Sequence, residues 1–236
     1  MTVLHASRVA DSRPRERMRP AGKSVIILTT LLAAAAAFSV PSSAEASNYS
    51  IRNGLFLTAE KRSSKLSAFT KWNGVLRRYY RESRRTAHLS SIRRWKRFIR
   101  SARHLSRREQ IVAVNRYVNR FEYRTDYRNY GVADYWATPR QFFARGGDCE
   151  DFAIVKYLTL KALGWRQSQL RLVVLIDRRK RQAHAVLAVY HAGRRHILDN
   201  QFRRVMRDTQ IAHYRPVYSI NERSWWFHMD YQTAAR

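Results

Sequence analysis

Gly146-Gly147-Asp148-Cys149-Glu150-Asp151-Phe152 holds the only cysteine of a 236-residue chain and crowds three of its 17 acidic groups against it, although 46 residues are Lys or Arg. The stretch opens an apolar-periodic segment, Phe152, Val155, Leu158, Leu160 and Leu163, closed by Gly164. That pattern predicts a helix of about four turns with Cys149 in its first turn. A thiol so placed gains thiolate character from the helix dipole and the unpaired backbone N–H groups, which makes Cys149 a candidate nucleophile. A blander reading stands beside it: Asp148 is a good N-cap, Asp151 approximates a capping box, and a lone cysteine is often a small buried hydrophobe. The two glycines turn the chain sharply and leave the approach to Cys149 open, as a substrate would need or as a plain connecting turn would also explain.

Outward from that stretch, the elements predict an α+β fold. Leu66, Phe69, Trp72, Val75, Leu76 and Tyr79 fall at helical spacing, a short and very basic helix spans 91–99, and Ser106 with Glu109 caps a helix over about 107–121. Residues 123–136 read as an irregular loop, and Thr138-Pro139 starts a short helix. Beyond Gly164 come β-branched strands at 170–176 and 183–190, an Ala192-Gly193 turn, a returning strand at 194–198 and a further strand at 217–220. A helical part over about 56–164 is thus followed by an antiparallel sheet over about 168–222.

The hairpin supplies partners for Cys149. A two-residue turn pairs positions that sum to 385, so His184 lies opposite Gln201 and diagonal to Asp199, on the same face and within reach of a hydrogen bond. A nucleophilic thiol needs a base and a group that orients the base, and His184 and Asp199 suit those roles. Seven other histidines compete with His184, and Asp199-Asn200 also suits turn chemistry. Carboxylates beside the thiol oppose its ionisation. A divalent cation would relieve that conflict, and oxygen ligands in an exported protein suit calcium, so Asp148 and Glu150 are the expected Ca2+ ligands, with Asp151 left to capping. Trp136 and Gln141 are read first as a core aromatic and a helix-surface residue, and second as lining of an oxyanion site.

Residues 1–24 are basic, an uninterrupted apolar or small stretch runs from Val25 to Val40, and Ala44-Glu45-Ala46 offers a small-x-small cleavage pattern. Residues 1–46 therefore read as a signal peptide cleaved near Ala46, a membrane anchor being the alternative, for which the stretch is short. The remaining 47–236, one domain, keep 40 basic against 14 acidic residues, a charge of +26. Such charge invites nucleic acid, but it is spread from Arg52 to Arg223 with no nucleic-acid module, and export makes that partner unexpected. Attraction to an anionic membrane or polymer is the alternative use of the charge.

Asp134-Tyr135-Trp136-Ala137-Thr138-Pro139, the run Gly146 to Ala153, Lys156-Tyr157, Leu163-Gly164, His184-Ala185-Val186-Leu187, Ile197-Leu198-Asp199-Asn200 and Pro216 to Asn221 together resemble the bacterial transglutaminase-like cysteine proteinases, the LapG-type periplasmic proteases among them. The likeness runs from about Phe56 to Trp226. It implies a papain-like or transglutaminase-like core, a Cys149-His184-Asp199 triad and Ca2+ dependence through Asp148 and Glu150. It further implies cleavage of a large surface adhesin in the periplasm, a role in biofilm formation, and a partner in the periplasmic part of a cyclic-di-GMP receptor. The unusually basic segments at 77–108 and 178–181 depart from the family pattern. A transglutaminase-type acyl transferase, or a non-catalytic basic module for anionic polymer, are the competing readings.

Overall fold

The computed structural model describes residues 54–86 and 89–230. The expected signal peptide, residues 1–46, lies outside them. Among the described residues, six α-helices precede or cover one seven-stranded antiparallel sheet. The helices are α1 (Thr70–Arg85), α2 (Ser90–Ala102), α3 (Arg107–Val118), α4 (Asp126–Tyr130), α5 (Pro139–Arg145) and α6 (Cys149–Ala162). The strands are β1 (Ala59–Ser63), β2 (Leu170–Asp177), β3 (Gln182–His191), β4 (Arg194–Leu198), β5 (Met206–Arg207), β6 (Tyr214–Ile220) and β7 (Trp225–Met229), in the order β1-β7-β6-β2-β3-β4-β5. Among the described residues no helix is long and apolar enough to cross a membrane.

Each helix follows its local chemistry. Ile92, Trp95, Ile99 and Ala102 give α2 one buried stripe, while Arg93, Arg94, Lys96, Arg97 and Arg100 project into solvent from its other faces. The Ser106–Glu109 box closes the start of α3, which ends at Val118, one turn short of the expected Phe121 because Asn119 caps it. The stretch 123–136, expected to be irregular, contains the short helix α4, begun by Thr125 and stopped by Gly131 in a left-handed conformation. Trp72 of α1 is fully buried and meets Tyr157 edge-on, ring centroids 5.2 Å apart, so α1 closes over α6.

The sheet has apolar residues on both faces. Leu172, Val174, Leu187 and Val189 alternate with Val173, Leu175, Val186 and Ala188, the first set joining the core with α6 and the second a smaller core with Leu55, Ile197, Ile211 and Tyr214. The β3–β4 ladder pairs His191 with Arg194 through Leu187 with Leu198, every pair summing to 385 as the turn chemistry requires. Three strands were not expected from the sequence: the two-residue β5, and β1 and β7. β1 and β7 pair with each other at one edge, and their alternation is obscured by aromatic and charged residues together.

Gly146 fixes the path into α6. Its φ of +77° and its closeness to the Glu122 carbonyl, 2.3 Å from where a Cβ would stand, leave no room for a side chain. The adjoining Gly147 would place its Cβ 2.3 Å from Asp151 Oδ2. The glycine pair thus serves close packing of 122–124 against the start of α6, where the Arg124 N–H donates to the Gly147 carbonyl at 2.9 Å.

α6 also buries a charge-bearing residue. Lys156 is 0% exposed and its Nζ has no hydrogen-bond partner. Burial lowers its pKa to about 7, against which the Asp199 carboxylate pulls upward.

Two predictions follow from these contacts. Gly146→Ala should lose roughly 2–4 kcal/mol, read as a fall in the thermal midpoint of several degrees, through combined strain and overlap; an unchanged midpoint would refute the packing argument. Lys156→Met should be more stable than the parent at pH 7. The unfolded chain holds a proton that folded Lys156 sheds between pH 7 and its ordinary 10.5, so this group makes stability rise with pH across that window, by at most about 5 kcal/mol. Urea midpoints of parent and variant at pH 7 and 9.5 should therefore converge with rising pH, and parallel profiles would show that Lys156 does not titrate there.

Candidate active site

α6 begins at Cys149, and Asp148 occupies the N-cap position without capping through its side chain. The expected capping role of Asp148 is thus corrected: its carboxylate is buried with Oδ1 unpartnered. Asp151, expected mainly as a cap, keeps part of that role, since the Asp148 N–H at the N-cap bears on its carboxylate, and it also accepts from the Ala137 N–H at 2.6 Å and so ties the 131–138 segment to α6. Its Oδ2 is also buried without a partner. The Cys149 thiol donates to Glu150 Oε2 at 3.2 Å, and the Ala185 backbone N–H bears on its sulfur. The nucleophile candidate therefore stands against the start of β3, next to His184.

His184 and Asp199 come together as the hairpin register predicts. His184 Nε2 lies 2.9 Å from Asp199 Oδ1, with both residues buried. Asp199 also accepts from the Gln201 N–H at 2.8 Å and, through Oδ2, from the Tyr214 hydroxyl at 2.7 Å. These bonds hold the Asp199 carboxyl below its usual pKa in spite of its burial. With Nε2–H donated to a carboxylate, the His184 ring keeps its lone pair on Nδ1. Tyr214 was not anticipated, because a tyrosine sixteen residues after a strand carries no local signal of its contact.

The thiol's electrostatics run against ionisation. Burial, then Glu150 and Asp148, push the Cys149 pKa well above its usual value. Burial and the neighbouring carboxylates likewise push Asp148 up to about 12 and Asp126 up to about 7, and raise Asp151. In protein alone these groups cannot all be charged.

The carboxylates form one cluster. Asp126, Asp148 and Asp151 can bring one oxygen each within 4.8 Å of one another, and so can Asp126, Asp134 and Glu150. Asp126 Oδ2 accepts from the Tyr135 N–H at 2.5 Å, while Asp126 Oδ1 and Asp134 Oδ1 are buried without partners. Lys71 pairs with the remaining Asp134 oxygen. Four acids with an unpartnered buried oxygen each, Asp126, Asp134, Asp148 and Asp151, and Glu150 beside them fit a hard cation, for which carboxylate and carbonyl oxygens are the natural ligands. The sequence pointed to Asp148 and Glu150. Asp126 and Asp134 sit in a segment without periodicity, and the available signal was the scarcity of acids in the chain.

Trp136 and Gln141 have structural work. Trp136 is buried with its ring centroid 6.3 Å from that of Trp72, and Gln141 accepts from the Thr138 N–H at the start of α5 and donates to the Tyr135 hydroxyl.

Comparison with known proteins bears on family and fold. Calcium-bound LapG of Legionella pneumophila is 35% identical, with a TM-score of 0.54 over 58% of this chain and 77% of that one. EGTA-treated LapG of the same organism is 33% identical, with a TM-score of 0.53 over 61% and 82%. No curated protein matches. Residues 84–233 match the family described as bacterial transglutaminase-like cysteine proteinase, BTLCP. Over the greater part of its length the chain carries that family's pattern on a mixed helix and antiparallel-sheet fold, and it belongs to the bacterial transglutaminase-like cysteine proteinases.

Proposed function

We propose that this cysteine protease is an exported, calcium-dependent endopeptidase that works through Cys149, His184 and Asp199. The observation that carries the reading is the buried His184 Nε2–Asp199 Oδ1 bond at 2.9 Å beside a cysteine that begins a helix. His184 Nδ1 takes the thiol proton as Cys149 Sγ bonds to the peptide carbonyl carbon. The carbonyl oxygen gains negative charge, and the Cys149 backbone N–H, free of an intrahelical acceptor in the first turn, donates to it. Collapse expels the amine, which leaves with the proton from His184, and an acyl thioester remains on Cys149. Water then attacks the thioester, gives its proton to His184, and the carboxylic product departs as the thiol is restored. Asp199 keeps the imidazole in the tautomer that both steps need, and Tyr214 holds Asp199 in place.

Asp148 and Glu150, with Asp126, Asp134 and Asp151 beside them, are the residues that would hold Ca2+. The ion supplies positive charge where these carboxylates otherwise oppose a thiolate. Solved LapG structures described as calcium-bound and EGTA-treated support the choice of ion. The export pattern of residues 1–46 supports a periplasmic place of action. The resemblance to LapG-type proteases supports a large surface adhesin as substrate and the periplasmic part of a cyclic-di-GMP receptor as partner.

Cys149→Ala should lower cleavage of a surface adhesin by at least about a thousandfold while leaving the unfolding midpoint within a few degrees. Cleavage that survives the substitution rules the mechanism out, and incorporation of a primary amine into glutamine without cleavage assigns the thioester to acyl transfer instead. Exhaustive chelation should abolish activity and lower the thermal midpoint. At a hundredfold excess over its dissociation constant the ion contributes about 2.7 kcal/mol, roughly 5–10 °C for a domain of this size. Glu150→Gln should raise the calcium concentration needed for both effects, and a midpoint indifferent to calcium in the parent would remove the ion from the proposal.

A further inference from the structure

A second charged feature lies away from Cys149. A groove of about 750 Å3 runs between the outer side of α3 and the β3–β4–β5 edge of the sheet. On α3, Arg108, Val112 and Arg116 recur every four residues and line one wall, the two arginine Cα atoms being about 12 Å apart along the helix. On the sheet, His191 pairs with Arg194 and His196 with Arg207, so these four side chains share one face. Arg195, on the opposite face, pairs with Asp208. Arg203 and Arg204, from the β4–β5 connection, complete the rim, and Ile111 and Val205 give an apolar lining.

Six arginines and two histidines thus face one concavity that no carboxylate lines. Among the described residues none of the six is in a salt bridge. The arrangement differs from that of α2, whose cations spread from a convex surface into water. In a concavity like charges reinforce one another, and low-dielectric walls focus the field. The effect is visible at His196, whose pKa is lowered by burial and then by His191, Arg194 and Arg108. Such repulsion costs stability unless an anion offsets it. Guanidinium forks match phosphate oxygens in pairs, and the volume suits a ligand of nucleotide or headgroup size.

We propose that this groove binds a ligand carrying two or more phosphate groups, held between the Arg108–Arg116 wall of α3 and Arg194, Arg203, Arg204 and Arg207. The apolar lining admits a flat or short apolar moiety between them. This site is independent of the proteolytic reading, since none of its residues takes part in the Cys149 chemistry.

Isothermal titration of the full chain with inorganic tripolyphosphate tests it. The parent should bind saturably, and Arg116→Glu/Arg204→Glu should weaken binding at least tenfold. Arg97→Glu/Arg100→Glu on α2, with the same change in net charge, should change it less than twofold. Arg116→Gln/Arg204→Gln should show an intermediate loss with an unchanged unfolding midpoint, which separates binding from folding. Equal losses in the α2 and groove variants, or no saturable binding to the parent, would overturn the proposal. Vesicles containing cardiolipin, whose headgroup carries two phosphates, give the second arm. Displacement of tripolyphosphate by them, abolished by the groove substitutions, supports the site with a lipid headgroup as its source; retained tripolyphosphate binding in their presence supports it with a soluble phosphate.

Discussion

Five carboxylates meet at the first turn of α6 in a chain that has 17 acids against 46 bases. Most of the surrounding architecture exists to bring them there. Gly146 and Gly147 permit the close approach of 122–124, α4 carries Asp126, and the Ala137 N–H fixes Asp151, so three separate segments are pinned to one helix start. Burying like charges together costs several kcal/mol per group unless they are neutralised. Either protons or a cation must supply that neutralisation, and only the cation leaves the carboxylates ionised beside a thiol at neutral pH. Under the proposed mechanism, the reactivity of Cys149 then depends on what occupies the cluster.

The other half of the site rests on ordinary strand geometry. A two-residue turn sets the β3–β4 register, the register puts His184 and Asp199 on one face, and Tyr214 and the Gln201 N–H complete the carboxylate's bonds. None of this needs the cation cluster. The proposed nucleophile and its proposed base therefore rest on two different kinds of interaction, one electrostatic, the other a hydrogen-bonded frame set by backbone pairing.

That division explains what could be read in the sequence. Cys149 at a helix start, the Ser106–Glu109 cap and the 385 register follow from patterns within about twenty residues, and the structure reproduces them. Asp148 was legible both as an N-cap position and as a cation ligand, and the absence of a side-chain cap was not, because capping and cation binding use the same residue type at the same place. Asp126, Asp134 and Tyr214 come from elsewhere in the chain, and no periodicity marks a residue whose partners lie across the fold. β1, at the sheet edge, and β7 beside it escaped because both are short and Arg62 of β1 lies over the Trp226 ring of β7, so charge stands where alternation would show apolar residues.

Opposite charges also occupy different parts of one hairpin. His184 and the Ala192-Gly193 turn are about seven residues apart on β3, roughly 23 Å of extended strand. The Debye length at physiological salt is about 8 Å, so the part of an anion's field at His191 and Arg194 that passes through solvent is largely screened over that distance, and the direct coupling to the carboxylate cluster is weak. Cation and anion can then be held at once without neutralising each other's sites. Any influence of the groove on His184 must pass through contacts, and the 199–205 connection offers them. It starts at Asp199 and carries Arg203 and Arg204, and the Asn119 side chain donates to the carbonyls of both Asp199 and Phe202. Since β4 and Asn119 anchor the Asp199 end, an anion on the arginines acts on the loop's far half first, and His184 feels it only as far as Asp199 itself is displaced.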